Sequence, residues 1–149
     1  MLRHPDAASP LSYLSNGSFQ NVIQDPEVTN GQRIIFCTGK IGHELRRERK
    51  RRGDTNTAIL FLEQMFPVPE KDIEEAIAQH SNAREFLWIQ EEPANMGALS
   101  FIAPYLERLT RGGPVRSVKR SPSSSPSTGS HTAHELEQKT LMELAFAAF

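Results

Sequence analysis

The chain has 149 residues, with 17 basic against 18 acidic side chains for a net charge of −1. A length of this order suits one domain, and the charge balance excludes a globally basic nucleic-acid or membrane binder, so any such partner would have to be recognised locally. The lone cysteine, Cys37, excludes an internal disulfide and a cysteine-based zinc set, which fits a reducing compartment.

In chain order, Met1-Leu2-Arg3-His4-Pro5-Asp6 has no apolar stretch fit for a signal peptide, and no run approaches the ~20 apolar residues of a membrane span. A soluble, unexported chain with no membrane partner is expected. Residues 1–32 scatter Pro5, Pro10, Pro26, Gly17 and Gly31 among polar residues without a sustained period, and read as a linker or the tail of something upstream. Arg33-Ile34-Ile35-Phe36-Cys37 is β-prone, stops at Thr38-Gly39, and gives way to a helix from Lys40 to Arg52 that Gly53 ends. A second strand, 57–62, leads into Met65-Phe66-Pro67-Val68-Pro69, where proline suits a first helical turn. The helix after it runs to about His80, with Ile73, Ala76, Ile77 and His80 on one stripe.

A third strand, 85–90, is nearly all apolar in its middle, as expected of a central strand covered on both faces. Helix three, 97–109, has Leu99, Ile102, Leu106 and Leu109 as its stripe, and Pro104 requires it to kink or begin late. Val115-Arg116-Ser117-Val118 reads as a fourth strand, and Ser121 to Gly129 as an irregular loop. Thr132-Ala133-His134-Glu135 matches a capping box that opens a last helix running close to Phe149. Strands alternating with helices predict an α/β fold, a mostly parallel sheet with helices on both faces.

Several clusters invite a chemical reading. Free N–H groups where Cys37-Thr38-Gly39-Lys40 turns into a helix could hold a phosphate or carboxylate, although only Gly39-Lys40 of the phosphate-loop pattern is present and a plain tight turn competes. Cys37 itself reads as a small buried hydrophobe. The cations among Arg46-Arg47-Glu48-Arg49-Lys50-Arg51-Arg52 stand at a helix C-terminus, where the dipole favours them, so a solvated helix end or a subunit contact is preferred to nucleic-acid binding. Glu91 and Glu92 are neighbours at a strand end and point to opposite sides, which argues against a catalytic pair. His131 and His134 have a spacing two metal ligands could use but lack a third ligand, and no histidine is placed to activate the loop serines. No metal site and no catalytic residue is expected.

Certain stretches taken together resemble a known family. Leu2-Arg3-His4-Pro5, Ile35-Phe36-Cys37-Thr38-Gly39-Lys40, Glu63-Gln64-Met65-Phe66-Pro67-Val68-Pro69 and Trp88-Ile89-Gln90-Glu91-Glu92-Pro93-Ala94-Asn95-Met96-Gly97-Ala98 are similar, in order and spacing, to the C-terminal end of 2-oxoglutarate dehydrogenase first components. Ser124 to Gly129 and the closing helix fit too, so the resemblance covers essentially the whole chain. Its most specific part is the Gln90-Glu91-Glu92-Pro93-x-Asn95-x-Gly97 segment.

The resemblance implies an oxidoreductase of transketolase-like build, dependent on thiamine diphosphate, that decarboxylates 2-oxoglutarate in the tricarboxylic acid cycle and passes the succinyl group to a lipoyl arm. It implies that the diphosphate, its magnesium and the proton-transferring histidines belong to domains upstream, with no cofactor bound by this segment. Residues 1–32 would then be the exit from a pyrimidine-binding domain and 33–149 a transketolase C-terminal-like domain that serves dimerisation and assembly, inactive by itself. The partners implied are the upstream domains, a homodimer partner and the lipoyl-bearing second component, with no nucleic acid. The location implied is cytoplasmic in a bacterium and the mitochondrial matrix in a eukaryote.

Some actinobacterial members bind acetyl-CoA at this domain, and Lys119-Arg120 is similar to the paired basic residues found there. Coenzyme phosphates would suit Lys119, Arg120 and Lys40 through charge-assisted hydrogen bonds, while a surface basic pair is the plainer reading. A stand-alone regulatory module for an acyl-CoA or other anionic ligand is therefore the alternative function, and a basic-helix nucleic-acid binder a third. Ile41-Gly42-His43 departs from the family, which usually has aromatic residues after the glycine-lysine turn.

Overall fold

The structure, a computed structural model, describes residues 4–148; Leu2 and Arg3 of the first family stretch and Phe149 at the chain end lie outside the described residues. Continuous apolar runs make the strands β2 (Arg33–Cys37), β3 (Thr57–Leu62) and β4 (Glu85–Pro93), and β5 (Val115–Arg120) follows them. Between them lie α2 (Lys40–Arg52), α3 (Glu70–Ala78) and α4 (Leu99–Leu109), with α5 (His131–Ala145) after β5. The five-stranded sheet has the order β1-β3-β2-β4-β5, in which β2 to β5 are mutually parallel. The remaining strand, β1 (Val22–Ile23), lies antiparallel on the outer edge of β3, with Val22 opposite Leu62.

Alternate residues of each strand feed separate cores, because successive Cβ atoms point to opposite faces. Ile34, Phe36, Leu60 and Trp88 meet Ile73 of α3 and Ile102 and Leu106 of α4 on one face. Ile35, Cys37, Ile59, Phe61 and Leu87 meet Ile41 and Leu45 of α2 and Leu141 of α5 on the other. Each fully buried large apolar side chain contributes about 1.5–3 kcal/mol, so the two clusters supply most of the driving force. α2 comes close to the sheet through Gly42, where a Cβ would stand 2.3 Å from the Phe61 ring. The fold is therefore α/β with helices on both faces, consistent with a transketolase C-terminal-like domain.

The elements depart from the sequence reading in several places. Within the segment read as linker, α1 (Leu11–Asn16) and β1 form, Val28 joins the core and Asp25 is buried. The 85–90 strand does take the interior place read for it, since β4 is flanked by β2 and β5 and buried on both faces. α3 starts after Pro69 and ends at Ala78, so His80, the last member of the predicted stripe, lies beyond the helix, where it is buried and its Nδ1 accepts the Gly31 N–H at 3.0 Å. α4 begins at Leu99 with Pro104 inside it. Pro104 and Ser100, four residues earlier, are both exposed, so the break in the helix hydrogen bonding lies on the outer side of α4. The cap of α5 is Ser130, whose Oγ accepts from the Ala133 N–H, rather than Thr132, because Ser130 holds the extended backbone that an N-cap needs.

Candidate functional site

Open α/β sheets hold ligands beyond the carboxyl ends of their strands, at the point where the strand order reverses. Here the chain passes from β2 to β3 on one side and then returns to β4 on the other, with α2 and α3 on opposite faces. The reversal lies between β2 and β4, where the loops after Cys37 and after Pro93 face each other.

That crevice is closed by side chains of this chain. Lys40, the first residue of α2, has its Nζ 2.7 Å from Glu44 Oε1 and 2.7 Å from Glu91 Oε1. Gln138 of α5 completes the bridge, its Nε2 donating to Glu44 Oε2 at 2.6 Å and to Glu91 Oε1 at 3.1 Å. Burial pulls the Lys40 ammonium toward its neutral form, but the hydrogen bonds and charges of Glu44 and Glu91 outweigh it and raise its pKa above the ordinary value. For Glu44, burial raises the pKa and the bonds from Lys40 and Gln138 lower it, with a net lowering. The Lys40 ammonium is thus taken up by two carboxylates of the chain itself.

The network continues from Gln138 to the end of β5. Gln138 Oε1 accepts from Arg120 at 3.0 Å, Arg120 also contacts His134 Nδ1 at 3.2 Å, and its guanidinium lies 3.2 Å from Glu137. The Arg120 side chain is only 8% exposed, and its Nε is buried with no partner among the described residues. Beside it is a cavity of about 330 Å³ lined by Pro93, Ser123, Ser125, Thr128 and Glu137. Lys119 is on the other face of the strand, with its Nζ 2.7 Å from Ser117 Oγ. Lys40 and Arg120 thus share one network, whereas Lys119 does not converge with them, since adjacent strand residues point apart.

The Gln90-to-Gly97 segment builds the floor of this rim. Gln90 is buried; its Oε1 accepts from Trp88 Nε1 and from the Leu99 N–H at 3.0 Å, and its Nε2 donates to the carbonyls of Glu92, Pro93 and Met96. Asn95 ties down the serine-rich loop by exchanging two bonds with the Ser123 backbone, at 2.9 and 3.0 Å. Glu92 is exposed while Glu91 faces Lys40, so the two carboxylates part as the strand geometry required. His131 lies 3.7 Å from Glu135 and His134 turns to Arg120, so the two histidines do not meet.

The basic run of α2 is solvated at Arg47, Lys50, Arg51 and Arg52, as read from the sequence, but turns inward at Arg46 and Arg49. Arg49 is 1% exposed, bonds both Asp25 and Glu27, and donates to the Thr57 carbonyl at 3.1 Å. Arg46 lies over the Phe61 ring at 4.4 Å and donates to the Gln24 carbonyl at 2.9 Å. Arg47 pairs with Asp6, while Arg51 and Arg52 both pair with Glu48. These cations fasten the N-terminal segment and the helix itself. Cys37 is fully buried, and burial pushes its thiol well above the ordinary range.

Sequence reasoning missed Asp25, Glu44, Glu137 and Gln138. Asp25 lay in a stretch without periodicity, and the other three look like ordinary polar positions of amphipathic helices.

A family model described as 2-oxoglutarate dehydrogenase C-terminal matches residues 8–146. The chain is 40% identical to the 2-oxoglutarate dehydrogenase E1 component of Cupriavidus necator, over 99% of this chain and 16% of that protein. It is 36% identical to the "Probable 2-oxoadipate dehydrogenase complex component E1 homolog" of Dictyostelium discoideum, over 98% of this chain and 17% of that protein. A 2-oxoglutarate dehydrogenase E1 component of an Exiguobacterium species is also 36% identical, over 99% of this chain and 16% of its own length. The chain spans about a sixth of the length of these curated relatives.

Proposed function

We propose that this chain, which belongs to the 2-oxoglutarate dehydrogenase C-terminal family, serves as the non-catalytic C-terminal portion of a decarboxylating 2-oxo acid dehydrogenase first component and acts in its dimerisation and assembly. The observation that carries the reading is the closed crevice: where doubly wound folds keep ligands, Lys40, Glu44, Glu91 and Gln138 are bonded to one another. Polar groups spent in this way hold elements together rather than act on a substrate.

In the complete enzyme, thiamine diphosphate with magnesium would supply the chemistry for decarboxylating 2-oxoglutarate, and the lipoyl-bearing second component would be the acceptor of the succinyl group. The described residues do not fit that cofactor, since Glu44 and Glu91 are taken up by Lys40 and no group of three His, Cys, Asp or Glu could hold a metal. We assign its binding to upstream domains, and the enzyme to the bacterial cytoplasm or mitochondrial matrix. The inward commitment of Arg46 and Arg49 supports a partner set without nucleic acid.

The test replaces the matching segment of the Cupriavidus necator relative with these residues. The 149-residue chain alone is expected to leave 2-oxoglutarate unchanged, and the chimera to turn it over. Turnover by the chain alone, or a soluble but inactive chimera, overturns the reading.

One observation favours a second reading, a regulatory module for an anionic ligand such as an acyl-CoA: the unpartnered Nε of Arg120 beside the serine-lined cavity. Calorimetry with acetyl-CoA separates the two, a saturable heat lost in Arg120→Gln supporting the second and no heat removing it.

A further inference from the structure

The N-terminal segment carries an apolar surface that nothing among the described residues covers. α1 has six residues, buries none of them and has no side-chain cap. A helix this short does not persist in water on propensity alone and needs its apolar face packed. Leu11 and Leu14, at i and i+3 on one side, are 82% and 81% exposed, and Phe19 is 71% exposed. With Tyr13 they concentrate exposed large hydrophobics within nine positions, whereas the others are spread over the loop after β3, α4 and α5. Single exposed apolar residues are ordinary, but a contiguous group beside a groove marks an interaction surface.

The groove is present. A cleft of about 910 Å³ is lined by Tyr13, Leu14 and Phe19 together with Ile23, His43 and Arg46. From Asn21 onward the chain is fastened to the sheet and α3: the Asn21 carbonyl accepts the Glu63 and Gln64 N–H groups and its Nδ2 bonds Asp72 at 2.6 Å. Before that point, the exposed Asp6–Arg47 pair ties the segment to α2.

From these observations we infer that the α1 face and its groove dock the polypeptide that precedes this region in the relatives. The occupant is argued from length and position. The matched segment is about a sixth of each relative, its family is described as C-terminal, and the uncovered patch lies at the N-terminal side of the fold, where the remaining five-sixths must connect. A neighbour of that size sits next to the only part of the described chain whose apolar side chains are clustered and uncovered. The inference rests on the assembly role proposed above.

The test labels position 14 with a maleimide in a Leu14→Cys variant, both in the isolated chain and in the full-length chimera, reading the site by mass spectrometry. Cys37 is fully buried and serves as an internal unreactive reference, and Leu136→Cys on α5, where Leu136 is 65% exposed, as an exposed control. Fast labelling at 14 in the isolated chain and at least ten-fold slower labelling in an active chimera, with position 136 equally fast in both, is the expected result. Equal rates at 14 in an active chimera overturn the docking surface and leave the assembly role standing. An inactive chimera brings down the assembly role and the surface with it. Protection at 14 already in the isolated chain, together with a dimer by sedimentation that Leu11→Asp dissociates, assigns the face to a second copy and overturns the inference.

Discussion

Gln90 and Gly97 are in contact across the loop that follows β4: a Cβ at position 97 would stand 2.9 Å from Gln90 Nε2. Gly97 also holds a φ of +71°, which side-chain-bearing residues rarely adopt. The glycine is there because the glutamine needs the space for its bonds to Trp88, Leu99 and three carbonyls. Gly97→Ala is expected to cost about 1–3 kcal/mol, lowering the melting temperature by roughly 2–4 °C per kcal/mol. Gln90→Leu, which strands those buried groups, is expected to cost at least as much. Thermal melts that leave either variant at the parent temperature would refute this account of the segment.

Arg49 is the buried cation that fastens the N-terminal segment. Its partner Asp25 has a side chain with no exposure and also accepts the Ile59 N–H at 2.8 Å. Arg49→Ala leaves that carboxylate buried without its cation, and is expected to cost about 3–5 kcal/mol in urea unfolding. Arg51→Ala, from the exposed part of the same run, is expected to change stability by less than about 1 kcal/mol.

His80 makes stability depend on pH. Burial lowers its pKa, the charge of Asp25 raises it in part, and the net is a lowering from 6.5. Its Nδ1 accepts the Gly31 N–H, which only a ring unprotonated at that atom can do. Above the unfolded value both states are neutral and the contribution is complete. As pH falls below 6.5 the unfolded chain takes a proton first, so stability declines until the folded ring also titrates. The melting temperature is expected to fall as pH drops from 7 toward 5, and His80→Gln to flatten that slope; a parallel slope in the variant would exclude His80 as its source.

Lys40 separates two carboxylates. In Lys40→Met, Glu44 and Glu91 face each other without it, for a loss of about 1 kcal/mol at neutral pH, discounted because the Lys40 side chain is 40% exposed. The Glu44 pKa is lowered in the parent, so its contribution is present above the unfolded carboxyl range and lost as pH falls. The gap between parent and variant is therefore expected to close below about pH 4, and Lys40→Met/Glu91→Gln to recover part of it at pH 7. A gap independent of pH would show that Lys40 acts by packing alone.

The bounds of β2, α2 and β3 were legible because strongly apolar runs and a terminating glycine at 53 are local signals. Other bounds were less so. β4 and β5 run on to Pro93 and Arg120 because they pair with each other there across a bulge, with Pro93 opposite Arg120. β1 was hidden because two residues carry no period, and only the free edge of β3 makes them a strand. Of the candidate site, Lys40 and Arg120 could be singled out as cations, but nothing nearby in sequence reveals that Glu91 and Gln138 would neutralise and connect them.

By itself the sequence determined the order of strands and helices from β2 to α5, the apolar runs that become strands and the family, because each of these resides in contiguous residues and their spacing. Only the tertiary structure decided which charges are free. Arg49 turns inward and Lys40 closes the crevice because sheet order and helix packing bring Asp25, Glu91 and Gln138 to them from distant parts of the chain. A side chain's charge is local, but the field and hydrogen bonds that spend it come from neighbours that exist only after folding.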